Sequence, residues 1–257
     1  MSNSLLALVV AAATLTGTPQ DGEAWLREAE SHLYAWPDPG VVVRFQVRTD
    51  VLQKTVDSLR KQLPPDPTPD MVKSIDALRR IEITGTLDTA TGKATTVVDL
   101  PLETTDPKRR EGIEQMKKGI QEMVSKSFES LPLDDPRLFG KDRKVLEATE
   151  LNGKITIKVA GKKPGESRTI RLEKSRMLPE SFETEASSVQ LRYIEVLPCR
   201  FAPARLDIQV PGSPKSTATY TYQRVGELVF PSTVVATLGA ASAKLEFLSV
   251  RVEKAGP

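Results

Sequence analysis

Few residues in this chain are equipped for chemistry. One histidine, His32, and one cysteine, Cys199, are all that its 257 residues offer as imidazole base or thiol nucleophile. A Ser-His-Asp or Cys-His system needs an imidazole held beside a nucleophile. His32 instead stands beside Leu33 and Tyr34 in a helical pattern, and no G-x-S-x-G phrase occurs. Cys199, between Pro198 and Arg200, follows a β-rich run, a setting that predicts a buried structural thiol. A single cysteine excludes an intramolecular disulfide and any thiolate cluster, and a single histidine excludes imidazole-rich metal sites. Carboxylates do come in pairs: Asp134–Asp135, Glu183 with Glu185, and Asp21 with Glu23. A glycosidase-type hydrolase needs two carboxylates fixed at a defined separation by the fold, whereas adjacent carboxylates by default mark solvated faces. Phosphate loops, dinucleotide fingerprints and H-E-x-x-H are missing from the sequence. The expectation is a non-enzyme with no cofactor and no metal.

Charge narrows the partners. The chain carries 36 basic and 34 acidic residues, a near-balance unlike the one-sided basic face of a nucleic-acid binder. The stretch Leu5 to Leu15 is apolar and is followed by Thr16-Gly17-Thr18-Pro19-Gln20. About 11 residues fall short of a bilayer span but match the apolar core of a secretory signal. Residues 1–20 are therefore expected to be a cleaved signal segment, and residues 21–257 a single domain with no stable transmembrane span, periplasmic or secreted.

The elements that would position a site follow from periodicity. Trp25, Leu26, Ala29, Leu33 and Trp36 recur at helical spacing and predict a docked helix over 22–36, closed by Pro37 and Pro39. Val41 to Val47 alternates as a half-solvated strand. Val51, Leu52, Val56, Leu59 and Leu63 predict a second helix, ended by the proline-rich 64–69, after which Asp70 is read as the cap of a third through Leu78. Residues 81–87 and 94–100 form a hairpin. Asp106-Pro107 opens a charged amphipathic helix of about 24 residues, whose apolar side is Ile113, Met116, Ile120, Met123, Val124 and Phe128. From Lys144 onward the chain alternates through nine strands, opened by the Asn152-Gly153 turn. Early helices and late strands mean α+β, with an antiparallel meander that curls into a barrel or half-barrel.

One phrase occurs twice. Leu178-Pro179-Glu180-Ser181 and Phe230-Pro231-Ser232-Thr233 each follow one strand and precede another. Together with Tyr220, Tyr222, Gly226 and the closing strand Leu245 to Val252, this layout resembles the bacterial periplasmic lipoprotein carriers (LolA/LolB-like). The resemblance implies a large curved antiparallel sheet with helices covering its concave face, and a cavity between them for the acyl chains of a lipid or lipoprotein. The carriers' functional arginine has no counterpart that can be placed here. The six apolar residues of the 106–130 helix are the candidate ligand contacts, since methionines suit surfaces that repack around variable partners. The function expected is a non-catalytic carrier or binding protein for a lipid, acyl chain or other apolar ligand. Two alternatives stand beside it: an envelope protein-interaction or regulatory module of the same fold, and a hydrolase using a carboxylate pair.

Overall fold

A computed structural model describes residues 15–36, 41–89, 93–101, 107–129, 144–161 and 165–254. The elements run β1 (Leu15–Gly17), α1 (Pro19–His32), β2 (Val41–Thr49), α2 (Asp50–Lys61), α3 (Pro69–Arg79), β3 (Glu82–Asp88), β4 (Lys93–Asp99) and α4 (Pro107–Glu129). Nine strands follow: β5 (Val145–Leu151), β6 (Lys154–Ala160), β7 (Ser167–Glu173), β8 (Leu178–Glu183), β9 (Ser188–Leu197), β10 (Arg200–Gln209), β11 (Ser216–Val225), β12 (Leu228–Leu238) and β13 (Ala241–Lys254).

All 13 strands join one unclosed sheet, in the order β1-β5-β6-β7-β8-β9-β10-β11-β12-β13-β2-β3-β4. Every ladder is antiparallel. The meander is local except at two seams. The last strand returns to the N-terminal half, with Phe247 opposite Val47 and Leu245 opposite Thr49. At the other end β1 lies along β5, with Thr16 opposite Thr149. The fold is thus α+β, a curved half-barrel with helices on its concave side.

Local chemistry explains the joints. Asn152 and Gly153 both adopt positive φ (51° and 75°), as a two-residue hairpin turn between right-twisted strands requires. The twice-used proline phrase is a twice-used structure. Pro179 faces Leu172 and Pro231 faces Tyr222, and in both ladders the register shifts at that point. A proline has no N–H to give a ladder, and a bulge is where a sheet tolerates that loss.

Several boundaries differ from the sequence reading. α1 stops at His32, so Trp36 is not helical; Leu33 turns extended and bridges Phe201, and Tyr34 donates its N–H to the Phe201 carbonyl at 2.8 Å. Tertiary pairing with β10 ends the helix before the prolines do. Thr68, not Asp70, caps α3, accepting from the Met71 N–H, with Pro69 at the first helical position. β10 begins at Arg200 and runs through Pro203, where a register shift absorbs the proline. The proposed cap of α4, Asp106, lies outside the described residues, and α4 itself begins at Pro107.

Candidate ligand-binding face

The concave side of the sheet is one apolar surface. Val43, Phe45 and Val47 of β2, Ile83 and Leu87 of β3, Val98 of β4, Phe230 of β12, and Leu245 and Phe247 of β13 all belong to a single buried cluster. Strict alternation produces it: Arg44, Gln46 and Arg48, between the inward residues of β2, are exposed. At its centre lie three phenylalanines, with ring centroids 5.5 Å apart for Phe45–Phe230, 5.6 Å for Phe45–Phe247 and 5.8 Å for Phe230–Phe247. Trp36 lies tilted against Phe230 at 5.9 Å and meets Tyr34 edge-on at 6.3 Å. This floor is filled: Phe230 is 0% exposed, Phe247 2% and Phe45 3%.

Gly85 shows how the floor is laid. It stands between the inward Ile83 and Leu87, opposite Phe45 on one side and Thr96 on the other. A Cβ there would lie 2.3 Å from two ring carbons of Phe45, so the ring can rest across β3 only because Gly85 has no side chain. The row Phe45–Gly85–Thr96 thus runs from the aromatic centre toward the edge strand β4.

Two helices cover this face by different means. α1 opens with a reciprocal cap: the Thr18 hydroxyl accepts from the Asp21 N–H at 3.3 Å, while the Asp21 carboxylate accepts from the Thr18 N–H at 2.7 Å. Those hydrogen bonds hold the Asp21 carboxyl below its ordinary value. Gly22 brings the helix so close to β5 that an added Cβ would meet Val145 at 2.9 Å and Ala148 at 3.0 Å. Leu26 and Ala29 are fully buried, and beyond the helix the buried Val229 N–H donates to the Tyr34 hydroxyl at 2.8 Å.

α4 rests on the far end, against β4. Of the six apolar residues expected to contact a ligand, Ile120 and Val124 are buried in the common core. Ile113 and Met116 are half-buried, Met116 packing against the core, and the side chains of Met123 and Phe128 lie outside the described residues. Gln121 Nε2 donates to the Thr96 carbonyl at 3.1 Å and so joins α4 to the strand. Around Gly112 and Gly119 an added Cβ would meet nothing within 4 Å.

The residues considered for catalysis stay apart. His32 Nδ1 lies 2.9 Å from the Arg176 carbonyl. Cys199 is exposed, which corrects the expectation of a buried thiol. It occupies the two-residue turn between β9 and β10 at φ 57°, its N–H held by Glu195 at 2.8 Å. Glu183 is bidentate to Arg171, Asp21 serves the α1 cap, and Asp134–Asp135 lie outside the described residues. Among the described residues no group of three metal-ligating side chains converges. Burial pushes the Tyr220 phenol up to about 12 and raises those of Tyr193 and Tyr222, so on this face they are neutral hydroxyls. Tyr222 donates to the Pro203 carbonyl at 2.7 Å.

The sequence reading missed Phe45, Gly85, Thr96, Phe230 and Phe247. A glycine inside an alternating strand was the available signal. An open cleft of about 600 Å³ lies where α2 and the end of α3 meet β2, β3 and β13, lined by Val47 and Ile83 of the floor as well as by the outward Arg48, Glu246 and Leu248.

No family model matches the chain, and no curated protein matches it. A solved structure of an outer membrane lipoprotein-sorting protein domain from Vibrio parahaemolyticus is similar over 93% of this chain and 95% of its own, at 9% identity and a TM-score of 0.33. Among the described residues no helix is long and apolar enough to cross a membrane.

Proposed function

We propose that the protein is an exported, non-catalytic carrier or binding protein for an apolar ligand, a lipid or acyl chain, which enters between α4 and the floor of β2, β3 and β4. The observation that supports this is the unequal attachment of the two covers. α1 is fixed to the sheet by a cap, a close glycine contact, buried side chains and the Tyr34 hydroxyl. Among the described side chains, α4 lies over the same apolar face on the buried Ile120 and Val124, with Gln121 hydrogen-bonded to the Thr96 carbonyl.

Magnitudes fit a reversible carrier. Lifting α4 re-exposes Ile120 and Val124, which costs roughly 3–6 kcal/mol. About 12 methylenes of an acyl chain taken out of water return roughly 10 kcal/mol. The remaining 4–7 kcal/mol corresponds to dissociation constants from about millimolar down to about 10 μM. A ligand held this way is released without chemistry.

The site of action proposed is the envelope or the outside of the cell, reached through the apolar segment at Leu5–Leu15. Cleavage after residue 20, as expected from the sequence, would remove β1 and the Thr18 cap, so the processing proposed here falls ahead of Leu15. The test is to express the full chain, purify it, extract it with organic solvent and record native and denaturing masses. The reading expects a shortened intact mass and a co-purifying lipid, or micromolar displacement of a fluorescent fatty-acid probe. No bound mass and no probe binding would sink it.

A second reading, an envelope protein-interaction module, is favoured by the filled floor and by the exposed Leu59 of α2 and Met71 and Val72 of α3. It expects a protein partner and no lipid.

A further inference from the structure

Thr96 is the one buried side chain among the described residues whose polar atom has no hydrogen-bond partner. It is 7% exposed, and it points inward from β4 between Ala94 and Val98. Its carbonyl is already taken by Gln121 of α4, so the unmatched group is the hydroxyl alone. A threonine hydroxyl kept dry without a partner is destabilising, and valine would fill the same volume with the same β-branching and no such loss.

The position is informative as well. Thr96 ends the row that starts at Phe45 and passes over the bare Gly85, directly beneath the helix proposed to lift. A ligand entering there would lay its hydrocarbon along the phenylalanines and bring whatever polar group it carries to the edge strand. We infer that the Thr96 hydroxyl donates to an oxygen of the ligand, so that the protein selects acyl esters or fatty acids over plain hydrocarbon. This rests on the carrier reading above. A hydrocarbon leaves the hydroxyl unmatched and gains nothing there, whereas an ester or carboxyl oxygen satisfies it in a dry site.

The experiment compares wild type, Thr96→Val and Thr96→Ser, using N-phenylnaphthylamine as an apolar fluorescent probe and methyl palmitate as the oxygen-bearing competitor. Probe affinity is measured for each protein first, and every competition is read against that protein's own value. Methyl palmitate should displace it about tenfold less well from Thr96→Val than from wild type, with Thr96→Ser restored. Hexadecane should compete equally with all three. Without ligand, Thr96→Val should melt about 2–4 °C above wild type. Equal competition by methyl palmitate in wild type and Thr96→Val overturns the inference and leaves the carrier reading standing. An unchanged or lower melting point for Thr96→Val overturns it too, since the hydroxyl would then have a partner. Failure of the probe to bind wild type takes down both.

Discussion

α1 and α4 cover opposite ends of one apolar face and are built on opposite principles. α1 has only 14 residues, but each turn is tied down: Thr18 and Asp21 at its start, Gly22 against β5, Leu26 and Ala29 in the core. α4 has 23 residues and a longer apolar stripe, yet it keeps two glycines on its open side and, among the described residues, rests chiefly against β4. Length and amphipathicity do not measure how firmly a helix is held. Side-chain burial, capping and hydrogen bonds to the sheet do, because in a folded protein most helical stability comes from tertiary packing. Regions with few buried contacts open at low free energy while the core stays folded.

The sharpest break of this comparison is a pair of truncations. Leu26→Ala should cost about 2–5 kcal/mol of global stability, read as a lowered thermal midpoint. Val124→Ala removes less buried carbon, and its loss should show mainly as faster amide hydrogen exchange confined to α4, with the global midpoint nearly unchanged. Equal midpoint losses would mean that α4 is as much a part of the folded core as α1.

A smaller effect runs the other way. Gly119→Ala on the open side of α4 should stabilise that helix by about 1 kcal/mol, since nothing blocks the added methyl and glycine is a poor helix former. Exchange in α4 should slow, and ligand uptake should slow with it. Faster uptake would separate helix stability from entry.

The smallest expected effect is pH-dependent and belongs to α1. In the fold, hydrogen bonds from Thr18 hold the Asp21 carboxyl below its unperturbed 3.8. Its contribution is therefore complete above that value and is lost as pH falls below 3.8 through the folded value. Asp21→Asn should melt below wild type at neutral pH, and the gap should close in acid. A gap that persists to about pH 2 would show that the cap does not depend on the charge.

Much of this architecture is legible in the residues. Alternation from Lys154 to Ala160 or Ser216 to Val225 marks strands because each buries one face only, and Asn152-Gly153 marks its turn because both residues tolerate positive φ. What escapes is set by contacts between distant segments. Nothing near Trp36 announces that Tyr34 will pair with Phe201 and stop α1 early. Nothing in β2 alone says that its neighbour is the last strand of the chain. The polar side of the site escapes for the same reason: Thr96 looks like any β-branched strand residue until the strand pairing puts it under α4. The stripe Ile113–Phe128 is visible as a helix face, but periodicity cannot tell a face that packs from a face that opens.

The central claim is that α4 must move for a ligand to enter. The most direct measurement is ligand uptake with α4 tied to its strand, using Gln121→Cys and Thr96→Cys in a Cys199→Ser background and a short bismaleimide bridge. Gln121 already reaches the Thr96 backbone at 3.1 Å, so the bridge needs no large rearrangement. Binding of an apolar probe should be present before bridging and in a singly labelled control, and should fall at least tenfold once the bridge closes. Undiminished binding by the bridged protein would contradict the account, and would place the ligand somewhere other than beneath α4.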